Sequence, residues 1–177
     1  MSSIPYLGES TDIVLGQEFL TWLWFRSDND PVFKAPDNGP DFTVSMEQRI
    51  VVQGGEGDAK ETASVSGVMS ELREARLGLA TGKQVTRALI RLSREPEAWQ
   101  VTLKAADLSL GSLKTPTVEK GDSQDDDPDA LFYEKIHLTE VGLSFIDTMF
   151  AQFLALRLSP EWEAETKKIR TWAAVEA

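Results

Sequence analysis

Cysteine is absent from the 177 residues. That excludes disulfides, zinc–thiolate centres, iron–sulfur clusters and cysteine nucleophiles. Histidine occurs once, at His137, with no second imidazole or thiol to build a zinc site or a triad around it. We read it as a structural or surface residue. Long hydrophobic runs are also missing. The apolar stretches are interrupted by Gln17, Glu18, Asp147 and Gln152, and none approaches the ~18–20 residues of a membrane span. The opening MSSIPYLGES has neither the basic start nor the apolar run of a signal peptide. The expectation is a soluble, cytoplasmic protein with no membrane contact and no cofactor.

Basic charge is scarce overall: 18 Lys and Arg against 29 Asp and Glu leave −11. Taken alone, that balance argues against a polyanionic partner, because phosphate neutralisation needs a positive surface. The charge is uneven, however. Residues 1–70 carry 4 basic and 11 acidic side chains, 71–114 carry 8 and 5, and 115–177 carry 6 and 13. The middle of the chain is a basic island of +3 between two segments of −7 each.

The pattern of apolar residues predicts an α+β fold. Residues 1–11 read as a flexible lead-in, and 12–158 as a single domain containing an acidic linker at 115–129. Residues 159–177 read as a C-terminal helix. Asp12 is a candidate N-cap for a helix through Leu15, Phe19, Trp22, Leu23 and Phe25, whose aromatics at helical spacing are core material. Residues 28–41, rich in Pro, Asp, Asn and Gly, read as a loop. Period-two alternation puts Phe42, Val44, Met46, Ile50 and Val52 on one face of a strand at 42–53. GGEGD at 54–58 is turn chemistry, and 60–66 returns as a second strand. Ser70 is placed to cap a short helix over 71–77.

The hairpin of 84–93 and 98–104, turning at Arg94, Glu95, Pro96 and Glu97, has one self-consistent register. Pairing Leu92 with Trp99 also pairs Ile90 with Val101 and Ala88 with Leu103, which makes one face wholly apolar. A slip of one residue would destroy that agreement. The other face then carries Arg87, Leu89 and Arg91 against Lys104, Thr102 and Gln100. After the linker, Leu138, Val141, Phe145, Met149, Phe153 and Leu156 mark a long helix from about 130 to 158. Ile146, Phe150 and Leu154 widen its stripe enough for packing on two sides or for a dimer interface. Ser159 and Pro160 suit a cap and first turn for the last helix. The sheet of hairpins (about 42–53, 60–66, 84–93 and 98–104) is expected to pack against the aromatic helix and the long C-terminal helices.

Few motifs carry chemistry. Asp125, Asp126, Asp127 and Asp129 lack the ligand spacing, turn glycine and terminal glutamate of a calcium loop. Neither 54–58 nor TGK at 81–83 is a phosphate loop. No pair of carboxylates is placed to serve as acid and base, so the expectation is a binding protein and not an enzyme. What remains is the basic island, with Lys83, Arg87, Arg91, Lys104 and Lys114 as candidate phosphate contacts. Contacts of that kind bind a nucleic-acid backbone without reading bases.

The stretch ATGKQVTRALIRL…WQVTLKAADLSLGSLK is similar to the C-terminal half of the RdgC family of recombination-associated proteins. The resemblance rests on Gly82, Lys83, Val85, Thr86, Asp107, Ser109, Leu110, Leu113 and Lys114. The order of EFLTWLWFRS, the acidic linker and the long helix supports it, over about residues 15–157. It implies an α+β protein that binds DNA without sequence preference through a positive surface, associates with the nucleoid and restrains strand exchange. Lys83 and Lys114 are its matched basic positions. It also implies assembly as a dimer or homo-oligomer, or pairing with a separately encoded N-terminal half. Some family members carry an exonuclease label, but the chain shows no carboxylate constellation for that chemistry. The alternative reading is an acidic protein-interaction module or accessory subunit with no nucleic-acid contact.

Overall fold

Strict alternation on two neighbouring strands organises the structure, a computed structural model. It describes residues 10–54, 61–66, 76, 79, 84–117 and 128–174, with the backbone alone for 10–13, 48–54 and 61–66. Strands β4 (Gln84–Arg94) and β5 (Glu97–Lys104) form an antiparallel hairpin closed at Glu95 and cis Pro96. The register pairs Arg87 with Lys104, Ala88 with Leu103, Ile90 with Val101 and Leu92 with Trp99, as the apolar pattern predicts. All six apolar members of those pairs are buried.

On the other side of β4 lies β2 (Phe42–Gly54), which pairs Val44 with Leu92, Met46 with Ile90 and Ile50 with Ala88. Between Met46 and Ile50 the register shifts, β2 advancing four residues while β4 advances two. An even surplus leaves the period-two pattern in phase, so Ile50 meets the inward-facing Ala88. The sheet is antiparallel throughout, in the order β1 (Val32–Phe33), β2, β4, β5 and β6 (Leu110–Lys114), with β3 (Glu61–Ser66) also pairing β2. Two strands depart from the sequence reading. β1 lies within the expected loop 28–41, and β6 follows β5. β1 is too short to show a period. In β6, Ser112 at φ 51° interrupts the alternation where the register with β5 shifts.

One face of this sheet is covered by helices. Helix α1 (Ser10–Asn29) buries Phe19, Leu20, Trp22, Leu23, Trp24 and Phe25 because it is packed on both sides. It lies on β2 and β4 and touches both later helices. It starts two residues before Asp12, so Asp12 is not the cap. Helix α2 (Pro128–Arg157) begins inside the expected linker and buries Leu138, Val141, Gly142, Phe145, Ile146, Met149 and Phe153. Gly142 allows Trp99 to lie against α2, and Trp99 Nε1 donates to Leu138 O at 2.8 Å. Phe145 stacks on Phe42 with ring centres 4.1 Å apart.

Helix α3 (Trp162–Ala174) starts later than Ser159 and Pro160 suggest. The Ser159 hydroxyl donates to Leu156 O and so closes α2. Trp172 packs edge-on against Trp24 and Phe25 and donates to Asp28. The aromatic core dominates the packing: a buried aromatic removes about 150–250 Å² from water, on the order of 4–6 kcal/mol gross each. The short helix expected over 71–77 lies outside the described residues, apart from Arg76. Among the described residues, no single helix is long and apolar enough to cross a membrane.

Candidate nucleic-acid interface

The strands that turn apolar side chains toward the helices must turn the alternate ones away. That outer face is open: no described helix packs on it, and its side chains are half-buried or exposed. From β2 it carries Thr43, Ser45 and Glu47. From β4 and β5 it carries Arg87, Leu89, Arg91, Ser93, Gln100, Thr102 and Lys104.

Four of the five sequence-predicted cations meet here. Arg87 stands opposite Lys104. Arg91 stands opposite Gln100, and Gln100 is opposite Lys114 on the next strand. Adjacent strands lie ~4.8 Å apart and residues rise ~3.3 Å along a strand. The Arg87–Lys104 pair is therefore about 13 Å from the row holding Arg91 and Lys114. Lys83, the fifth, lies outside the described residues.

The contrast with the helix side is sharp. There, Arg26, Arg76, Arg94 and Arg157 each meet a carboxylate: Asp30 at 3.5 Å, Asp28 at 4.0 Å, Asp37 at 2.9 Å and Glu18 at 2.6 Å. Each also lies over an aromatic ring, respectively Phe33, Trp172, Phe145 and Trp162. These cations are committed to the fold. Arg26 is the extreme case. It is 8% exposed and donates to Asp30 O and Val32 O, cinching the end of α1 to β1. Burial lowers its pKa and Asp30 opposes the shift; an arginine stays charged regardless.

Among the described residues, none of the four open-face cations has a carboxylate within ion-pair distance. Arg91 donates from Nε to Ser93 Oγ at 3.3 Å, which steadies it on the face without neutralising it. Asp107 lies in the turn that follows Lys104. Hydrogen bonds from Ser109 hold that carboxyl below its usual range, and Lys104 adds to the effect. Arg87 and Lys104 directly opposite one another cost about 0.2–1 kcal/mol of repulsion, which an anion bridging them would convert to attraction.

The face holds no described aromatic side chain, because those of the strands (Phe33, Phe42 and Trp99) all point into the core. Among the described residues, two clefts are found on the helix side. One, of about 200 Å³, lies between α1 and α3 and is lined by Glu18, Trp162 and Arg170 among others. The other, of about 140 Å³, is largely apolar. His137 is exposed on α2, and no three His, Asp or Glu side chains converge on a metal position among the described residues. No protein-family model, curated protein or solved structure matches this chain.

Proposed function

We propose that this protein is a sequence-independent DNA-binding component of an RdgC-like modulator of recombination, and that the open sheet face holds the phosphate backbone. The observation that carries the reading is where the cations gather, since Lys34, Lys135 and Arg170 also lack an ion pair among the described residues but are scattered over separate elements. Four helix-side arginines are consumed by carboxylates and rings, while Arg87, Arg91, Lys104 and Lys114 share one uncovered face without an ion-pair partner among the described residues. Two cation rows about 13 Å apart are commensurate with a duplex groove of ~12 Å, so each row meets the phosphates on one side of the groove. Side chains of this kind position a duplex without reading its sequence.

The net charge of −11 does not outweigh this face at physiological salt. Exposed charges more than a Debye length of ~8 Å from the face are largely screened there. The acidic balance favours a second reading, an interaction module with no nucleic-acid contact. Fluorescence anisotropy with two duplexes of unrelated sequence separates the two. Equal affinity for both, lost in Arg87→Glu/Arg91→Glu, supports the first reading. A folded protein that binds neither duplex at low salt, alone or with a partner half, would leave only the second.

A further inference from the structure

Helix α2 carries a second apolar stripe that the core does not use fully. Phe132, Ile136, Leu143, Ile146 and Phe150 recur at steps of four, seven, three and four, which keeps them on one side of the helix. The upper end of this stripe stands clear of the body. Of the first ten residues of α2, only Leu131 is even half-buried, and Phe132, Tyr133 and Ile136 are 62%, 68% and 39% exposed. The lower end runs into the apolar groove, where Leu143, Ile146 and Phe150 face Leu103, Leu108 and Leu110 of the sheet edge. From Phe132 to Phe150 the stripe rises about 27 Å along the helix.

An acidic rail borders the stripe. Glu140 follows Ile136 by four residues and Asp147 follows Leu143 by four, both exposed. Neither forms an ion pair among the described residues. In sequence α2 is preceded by Glu119, Asp122, Asp125, Asp126 and Asp127 against one lysine, Lys120. We propose that this stripe and groove dock a basic amphipathic helix from a partner protein. Its apolar face would lie along Phe132, Ile136 and Leu143, with its lysines or arginines against Glu140 and Asp147. An apolar track with an edge of one charge is the complement of such a helix. A second copy of α2 running antiparallel fits less well, because pairing the same stripes then sets acidic rail beside acidic rail. The site is on the helix side and stands independently of the DNA reading.

The test uses the full chain without DNA and two labelled eighteen-residue peptides with the same leucine face, one with lysine and one with glutamate on the polar face. Anisotropy should show the lysine peptide binding at least about tenfold more tightly, a difference of ~1.4 kcal/mol. Phe132→Ser/Ile136→Ser, exposed positions whose folding is checked by an unchanged melting curve, should weaken it about tenfold. Glu140→Lys/Asp147→Lys should reverse the preference between peptides, while Arg87→Glu/Arg91→Glu should leave it unaltered. Equal binding of both peptides, indifference to either stripe or rail variant, or a dimer in sedimentation velocity that Phe132→Ser/Ile136→Ser dissolves would each overturn the proposal.

Discussion

Replacing Gly16 by alanine tests how α1 is seated on the sheet. In an ordinary helix interior this change stabilises by about 1 kcal/mol, because glycine is the poorer helix former. Here a Cβ would lie 2.8 Å from the Ala105 carbonyl carbon, 2.9 Å from its Cα and closer still to its oxygen. Unstrained carbon contacts lie at about 3.5–4.0 Å. Neither side yields readily. Ala105 is fully buried, and its N–H is held by Thr86 O at 2.8 Å. Gly16 is one turn from Phe19 and Leu20, both locked in the core. Relief requires α1 to lift by about 1 Å along much of its packed length. Overpacking of this kind costs about 1–3 kcal/mol, and more where backbone must move. Against the ~1 kcal/mol propensity gain, the net expectation is a loss of about 2 kcal/mol, or roughly 4–8 °C in Tm for a chain of this size. Thermal melting followed by far-UV circular dichroism reads the sign directly. A Gly16→Ala variant with a raised Tm would refute the close helix–strand approach.

Three further outcomes follow from other contacts. Trp99→Phe removes the bond from Nε1 to Leu138 O and part of a fully buried ring; a loss of about 1–3 kcal/mol in urea unfolding is expected. Asp37→Asn should narrow in effect as the pH falls. The Arg94 guanidinium, then the Gly39 N–H, hold the Asp37 carboxyl below the usual range. A depressed folded pKa gives stabilisation that is full above the unfolded value of about 4 and lost as pH falls through the folded one. Asp37 is 40% exposed, so the Tm gap from wild type corresponds to about 1 kcal/mol or less at pH 7. It should close on acidification below pH ~4, and a gap that widens instead would contradict the pairing. Finally, a face with cations and hydroxyls but no described aromatic offers no stacking platform, and single-strand binders gain about 1–3 kcal/mol per stacked base. Competition anisotropy should therefore show duplex preferred over a single strand of equal length, and the reverse order would contradict that composition.

The register of β4 and β5 was legible, because their alternating residues agree on only one pairing, although each strand runs one residue further into the turn than 84–93 and 98–104. The wide stripe of α2 was equally plain, read as packing on two sides or as a dimer interface; the core contacts follow it, whereas the exposed Phe132 and Ile136 lay outside the residues that marked it. β1 and β6 escaped, the first for shortness and the second for its positive-φ interruption. The open face followed from the hairpin alone, since fixing the apolar face of Ala88, Ile90 and Leu92 fixes where Arg87 and Arg91 point. What could not be read was which other arginines were already spoken for. Arg94 meets Asp37 across 57 positions and Arg157 meets Glu18 across 139. Such partners are brought together only by the fold, and no local pattern announces them.

The central claim rests on the open-face cations, and the salt dependence of duplex binding measures them most directly. Four phosphate contacts predict a slope of log K against log salt of about −3.6, a loss near 10²-fold between about 50 and 200 mM. In Arg87→Glu/Arg91→Glu the slope should flatten by about 2. A folded chain whose binding is salt-independent, or whose slope the double substitution leaves unaltered, would contradict the account.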